Sequence, residues 1–112
     1  MPAAASTAYK PERYIARYCS PSGDVCFGIF RAGGIVFQLL SVEKYFPRYQ
    51  VCVRAPNGAR KCLTSLVRRQ GRLYGSHLRW PRRFGDHGNG VYRVTWSQRG
   101  VRLGPTLRFR ER

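Results

Sequence analysis

The sequence predicts an all-β protein, an antiparallel β-sandwich built as one domain and stapled by two short-range disulfide hairpins. Three observations carry that expectation. Eight short strand-like runs recur along 112 residues, with Gly, Pro, Asn or Ser between them. No helical period competes with the alternation of these runs. The four cysteines fall in two pairs, each closing over a turn sequence.

Residues 1–12, "MPAAASTAYKPE", read as a flexible N-terminal segment ahead of a domain over 13–112. They lack the apolar stretch of a signal peptide, while Ala3, Ala4 and Ala5 resemble the region around a secretory cleavage site. A removed signal peptide with Met1 as a new start fits these residues; a native N-terminus fits them equally.

The runs 13–19 ("RYIARYC") and 25–31 ("VCFGIFR") form the first hairpin. A two-residue Ser22-Gly23 loop would place Ser20 opposite Val25 and Cys19 opposite Cys26. Ala32-Gly33-Gly34 ends it. The run 35–42 ("IVFQLLSV") is nearly continuous in apolar residues, as expected of a central strand buried on both faces or of a sandwich interior. A short helix is expected to fit "SVEKYF".

The runs 49–54 and 59–67 flank "APNGA". Pro56 presets the first corner of a type I turn, Asn57 tolerates the second, and Gly58 supplies the left-handed residue of a three-residue loop. That register sets Arg54 opposite Arg60, Val53 opposite Lys61 and Cys52 opposite Cys62. Opposed antiparallel residues sit roughly 4.5–5.5 Å apart, which suits a disulfide.

Four cysteines allow three connectivities, and turn chemistry favours Cys19–Cys26 with Cys52–Cys62. Structural zinc asks for four ligands, usually at Cys-x₂₋₄-Cys spacing, and these gaps are wider. Reduced structural cysteines are the other alternative.

Beyond the polar "RRQGR" come 73–80, the loop "RRFGDHGNG", 91–96 ("VYRVTW") and 106–110 ("TLRFR"). A two-residue Arg99-Gly100 loop would pair Trp96 with Leu103 and Tyr92 with Leu107, setting Arg93 opposite Thr106 and Arg108 opposite Val91. Alternation then assigns to the core Val36, Phe37, Leu39, Val51, Val53, Leu63, Tyr92, Val94, Trp96, Leu107 and Phe109.

"GVYRVTW", placed after "GDHG" and before a Gly-containing turn and a last strand, resembles the end of an immunoglobulin-like or fibronectin-type-III-like sandwich. The resemblance covers about residues 35–110. It implies a tyrosine corner carried by Gly90 and Tyr92, and a secreted or surface-attached module, bacterial in style, that binds or spaces. The sequence departs from the family where Val94 replaces the second inter-sheet cysteine, and where the expected strand C, 49–54, lacks a Trp. The resemblance implies no reaction, because sandwich folds host many functions.

No catalytic constellation is legible. Asp86-His87 lies in a Gly-rich loop, but neighbouring Asp and His rarely orient one another for a triad, and a turn explains Asp86. His77 alternates within a strand run and reads as half-exposed. The acids Glu12, Asp24, Glu43, Asp86 and Glu111 form no pair suited to glycoside hydrolysis. Neither a metal nor a cofactor is expected.

The charge is the remaining signal. The formal net charge is +16, from 18 Arg and 3 Lys against five acids. Such a balance fits polyanion binding. It fits equally an Arg-rich composition that follows GC-rich coding, since the arginines are scattered. "HLRWPRRFG" sets Arg79, Arg82 and Arg83 beside Trp80, which would suit stacking on bases or sugars if Trp80 were exposed and not in the core. Arg93, Arg108 and Arg110 fall on the outer face in the register above, with Arg54 and Arg60 joining them if the two hairpins lie side by side.

The sequence therefore points to a non-catalytic secreted or cell-surface β-sandwich module, binding or structural. Cationic binding of nucleic acid or an acidic surface polymer is the alternative. The expected partner is a polyanion or another extracellular protein, and no run reaches the ~20 apolar residues of a membrane helix.

Overall fold

A computed structural model describes residues 14–112. The expected flexible segment 1–12 and the first residue of the run 13–19 lie outside the described residues. Among the described residues ten strands follow in order: β1 Tyr14–Cys19, β2 Val25–Arg31, β3 Ile35–Ser41, β4 Arg48–Arg54, β5 Arg60–Leu66, β6 Arg68–Gln70, β7 Leu73–Arg79, β8 Gly90–Gln98, β9 Val101–Arg102 and β10 Leu107–Glu111. They make two antiparallel five-stranded sheets. One runs β1-β2-β3-β7-β6; the other runs β9-β8-β4-β5, with β10 also on β8. The protein is a sandwich-like all-β fold. Among the described residues none is helical, and "SVEKYF" is the end of β3 followed by bends and extended chain. No helix there is long and apolar enough to cross a membrane.

Both disulfides form as the turns dictate. Cys19 pairs with Cys26 across β1–β2, and Cys52 with Cys62 across β4–β5, each at a Cα separation of 4.0 Å. The "APNGA" loop is the expected one: Gly58 N–H donates to Ala55 O at 2.9 Å, with Gly58 at φ +91°. The first hairpin differs from expectation in its loop, which holds four residues instead of two. Gly23 N–H donates to Ser20 O at 2.8 Å, and Ser20 N–H donates to Val25 O at 2.8 Å. A two-residue loop would have needed an N–H from Pro21, which has none; Pro21 instead presets the corner of the turn.

Two strands were not expected. β6 forms from the polar "RRQ" as an edge strand on β7, where no apolar face is required. β9 continues past the Arg99-Gly100 turn, with Val101 opposite Gln98 and Arg102 opposite Ser97. The expected loop and the Trp96–Leu103 pairing hold, since Leu103 N–H donates to Trp96 O at 2.9 Å. Beyond that the register is corrected. Leu107 pairs with Val94, Arg108 with Arg93, Phe109 with Tyr92 and Arg110 with Val91. Pro105 cannot donate to the ladder, so the chain leaves β8 at Gly104-Pro105 and rejoins it two residues later. An even shift keeps every side chain on its expected face.

The core lies between the sheets, with Phe27, Ile29, Ile35, Phe37 and Leu39 facing Tyr49, Val51, Val53, Val94 and Trp96. Phe27 stacks on Trp96 at 4.4 Å between ring centroids. Tyr92, Phe109 and Trp80 make a second aromatic group at 5.0–5.1 Å spacings. All the residues assigned to the core are buried except Leu63, which is half-buried because β5 is an edge strand. β3 is the expected central strand: Val36, on the side opposite Phe37, is also buried. At the β5 edge, the Tyr49 hydroxyl crosses between sheets to Ser76 Oγ at 2.9 Å, and Ser76 Oγ meets Ser65 Oγ at 2.6 Å.

Candidate polyanion-binding face

The face arises from simple alternation. Along β4, Tyr49, Val51 and Val53 point into the core, which leaves Arg48, Gln50, Cys52 and Arg54 outside. Along β8, Tyr92, Val94 and Trp96 point inward, leaving Val91, Arg93, Thr95 and Ser97 outside. β5 adds Arg60, Cys62, Thr64 and Leu66 to the same outer face, and β10 adds Arg108 and Arg110. None of these outward strand positions is acidic.

Register then aligns the cations. Arg60 lies opposite Arg54, Arg54 opposite Arg93, and Arg93 opposite Arg108. Four adjacent strands therefore each place one exposed arginine in a single cross-strand row. At roughly 4.8 Å between strands the row spans about 14 Å. Arg110 extends the face one register step along β10, opposite Val91. All five arginines assigned to the face from sequence share it. The corrected detail is that Arg93 meets Arg108 and not Thr106.

Like charges set directly opposite each other are unfavourable in a sheet. Arg93 has two such neighbours, Arg54 and Arg108. Arg93→Thr is therefore expected to raise stability at low ionic strength by about 0.5 kcal/mol, a gain that shrinks as salt screens the row. Urea unfolding at low and high salt checks this. A variant destabilised under both conditions would mean that packing of the guanidinium outweighs repulsion.

A concavity of about 300 Å³ opens in this face, lined by Cys52, Arg54, Arg60, Arg93, Thr95, Arg102 and Thr106. Arg60 Nη2 lies 3.5 Å from Cys52 Sγ, and Arg102 Nη2 donates to Thr106 Oγ1 at 2.7 Å. Arg102 and the two threonines were not singled out in the sequence. The signal was present: a two-residue Arg99-Gly100 turn sets Arg102 opposite Ser97, on the outer face.

No protein-family model, curated protein or solved structure matches the chain.

The group expected around Trp80 separates. Trp80 is 4% exposed, its indole edge-on to Tyr92 and Phe109, so it offers no free face for stacking. Its apolar surface is worth more in the core than in water, which outweighs the neighbouring charges. Arg79, on β7 of the other sheet, donates to Ala32 O at 2.7 Å, while Arg82 and Arg83 lie exposed in the turn that follows. Asp86 Oδ1 accepts Gly88 N–H at 2.9 Å in a local turn. His77 is half-buried opposite Gln38, and burial, with Arg79 nearby, lowers its pKa below 6.5. Among the described residues no group of three or more His, Cys, Asp or Glu is arranged to hold a metal.

Proposed function

We propose that the protein is a non-catalytic, exported immunoglobulin-like sandwich module that binds a polyanion on the outer face of its β9-β8-β4-β5 sheet, where β10 also pairs. The observation that carries this is the unbroken row Arg60, Arg54, Arg93 and Arg108 across four neighbouring strands. Scattered arginines in the sequence become one basic surface through strand pairing, and no acid at an outward strand position neutralises it.

The family likeness has two supports. The order β2-β3-β7-β6 opposite β10-β8-β4-β5 follows the immunoglobulin arrangement of strands A-B-E-D opposite G-F-C, with β5 beside C and β1 added at an edge. Tyr92 is fully buried, and its hydroxyl accepts His87 N–H at 2.8 Å and donates to Gly88 O at 2.7 Å, the geometry of a tyrosine corner. Gly90 opens that strand at φ +133°, and a Cβ there would lie 2.7 Å from Pro56 Cγ. The two disulfides support an oxidising compartment, hence secretion or display at the cell surface.

Heparin chromatography and titration across a salt series test the binding. Wild-type affinity should fall steeply with salt. Arg54→Gln/Arg93→Gln/Arg108→Gln should bind more weakly, with a slope shallower by about 0.7–0.9 for each anionic group the variant no longer neutralises. Equal slopes for the two proteins would reduce the row to solvated surface charge and leave a structural module.

A further inference from the structure

We infer that the concavity over the Cys52–Cys62 disulfide is a site for one tetrahedral oxyanion group, a phosphate or sulfate ester of a linear polymer other than single-stranded nucleic acid. This rests on the polyanion reading above and adds an anchor point to it. The polymer crosses the strands along the arginine row, and one of its ester groups seats in the concavity.

Arginines from four different strands line it: Arg54 from β4, whose Nη1 also reaches Gly58 O at 3.4 Å, Arg60 from β5, Arg93 from β8 and Arg102 from β9. Thr95 and Thr106 supply hydroxyls at the same place, and no acid lines it. Arginine presents five donors in a planar fork that matches the oxygens of phosphate and sulfate. Two of these forks are held in advance. Arg102 is bonded to Thr106 Oγ1, and Arg60 reaches Cys52 Sγ, in each case through one Nη2 only. Their remaining N–H groups stay available, and less side-chain freedom is lost on binding. The floor is rigid and neutral: Cys52 is 5% exposed and covalently tied to Cys62.

The class of polymer follows from what else the face carries. Binding of single-stranded nucleic acid ordinarily adds aromatic platforms on which bases stack. Trp80, Phe84, Tyr92 and Trp96 are all buried, and no outward position of β4, β5, β8, β9 or β10 is aromatic. Charge and oxyanion geometry are what this surface can recognise.

The test uses inorganic phosphate and inorganic sulfate, each titrated at low ionic strength and followed by amide and arginine side-chain NMR. Saturable shifts confined to Thr95, Arg102, Thr106 and their neighbours are expected. Dextran sulfate compared with a dextran phosphate of matched charge then separates sulfate from phosphate ester. Arg102→Gln should abolish these shifts and weaken heparin binding by about tenfold, the worth of a charge-assisted hydrogen bond. Arg82→Gln removes the same charge from a turn outside the face and should change heparin affinity less than about twofold. Non-saturable shifts spread over all surface arginines, with heparin binding intact, would overturn the site while leaving the polyanion reading. Saturable anion binding without heparin binding would do the reverse. Oligo-dT bound as tightly as heparin, compared at matched charge, would overturn the assignment of polymer class.

Discussion

Removing both disulfides together, as Cys19→Ala/Cys26→Ala/Cys52→Ala/Cys62→Ala, is expected to cost about 5 kcal/mol. The bridges span sequence separations of 7 and 10. Closing loops this short restricts the unfolded chain by about 2.5 and 2.7 kcal/mol in turn. The bridges lie in different sheets and share no partner, so the two losses should add. A loss of that size approaches the whole stability of a small domain, and the quadruple variant should be largely unfolded at 37 °C. Urea midpoints for each pair and for the quadruple variant measure the terms. A combined loss below about 2 kcal/mol would show that the turns already hold both hairpins closed in the unfolded ensemble. The Cys52–Cys62 pair carries a functional consequence as well. β5 is an edge strand, tied within its sheet to β4 alone, and it brings Arg60 to the row. Its loosening should weaken heparin binding even where the fold survives.

Tyr92→Ala is the next largest expected effect, about 4 kcal/mol. The ring is fully buried, stacks on Phe109 at 5.0 Å and 9°, and meets Trp80 edge-on at 5.0 Å. Truncating a buried aromatic forfeits its transfer energy and leaves a cavity. The hydroxyl has a separate task. It fastens the loop of Asp86, His87 and Gly88 to the start of β8, immediately before Arg93. Tyr92→Phe keeps the ring and deletes that tie. The loop is solvent-exposed, so water can take over its polar groups and the loss should be only about 1 kcal/mol. Chemical denaturation of the two variants separates ring from hydroxyl. A Tyr92→Ala loss no greater than that of Tyr92→Phe would mean that the ring does not hold the two sheets together at this end.

What the sequence determined by itself was local. Pro56-Asn57-Gly58 fixes a loop, the loop fixes a register, and the register places Cys52 against Cys62 and Arg54 against Arg60. The alternation in "VYRVTW" likewise decides which side chains enter the core, because a strand has only two faces. Even the missed offset at Gly104-Pro105 preserved those faces, being a shift of two. Tertiary structure decided the pairings that no turn enforces. β4 and β8 are separated by some 35 residues, yet their pairing sets Arg54 beside Arg93 and joins two arginine pairs into one row. That pairing follows from burying Val53, Val94 and Trp96 against the opposite sheet, a demand of the whole core. The same demand took Trp80 inward, away from the arginines that flank it in sequence. Arg102 follows from the Arg99-Gly100 turn, but only the cross-sheet pairing brings it to the same concavity as Arg54 and Arg60. Registers set within one hairpin are written in turn chemistry; registers between hairpins are settled by the packing of two apolar faces, and the candidate site lies across such a seam.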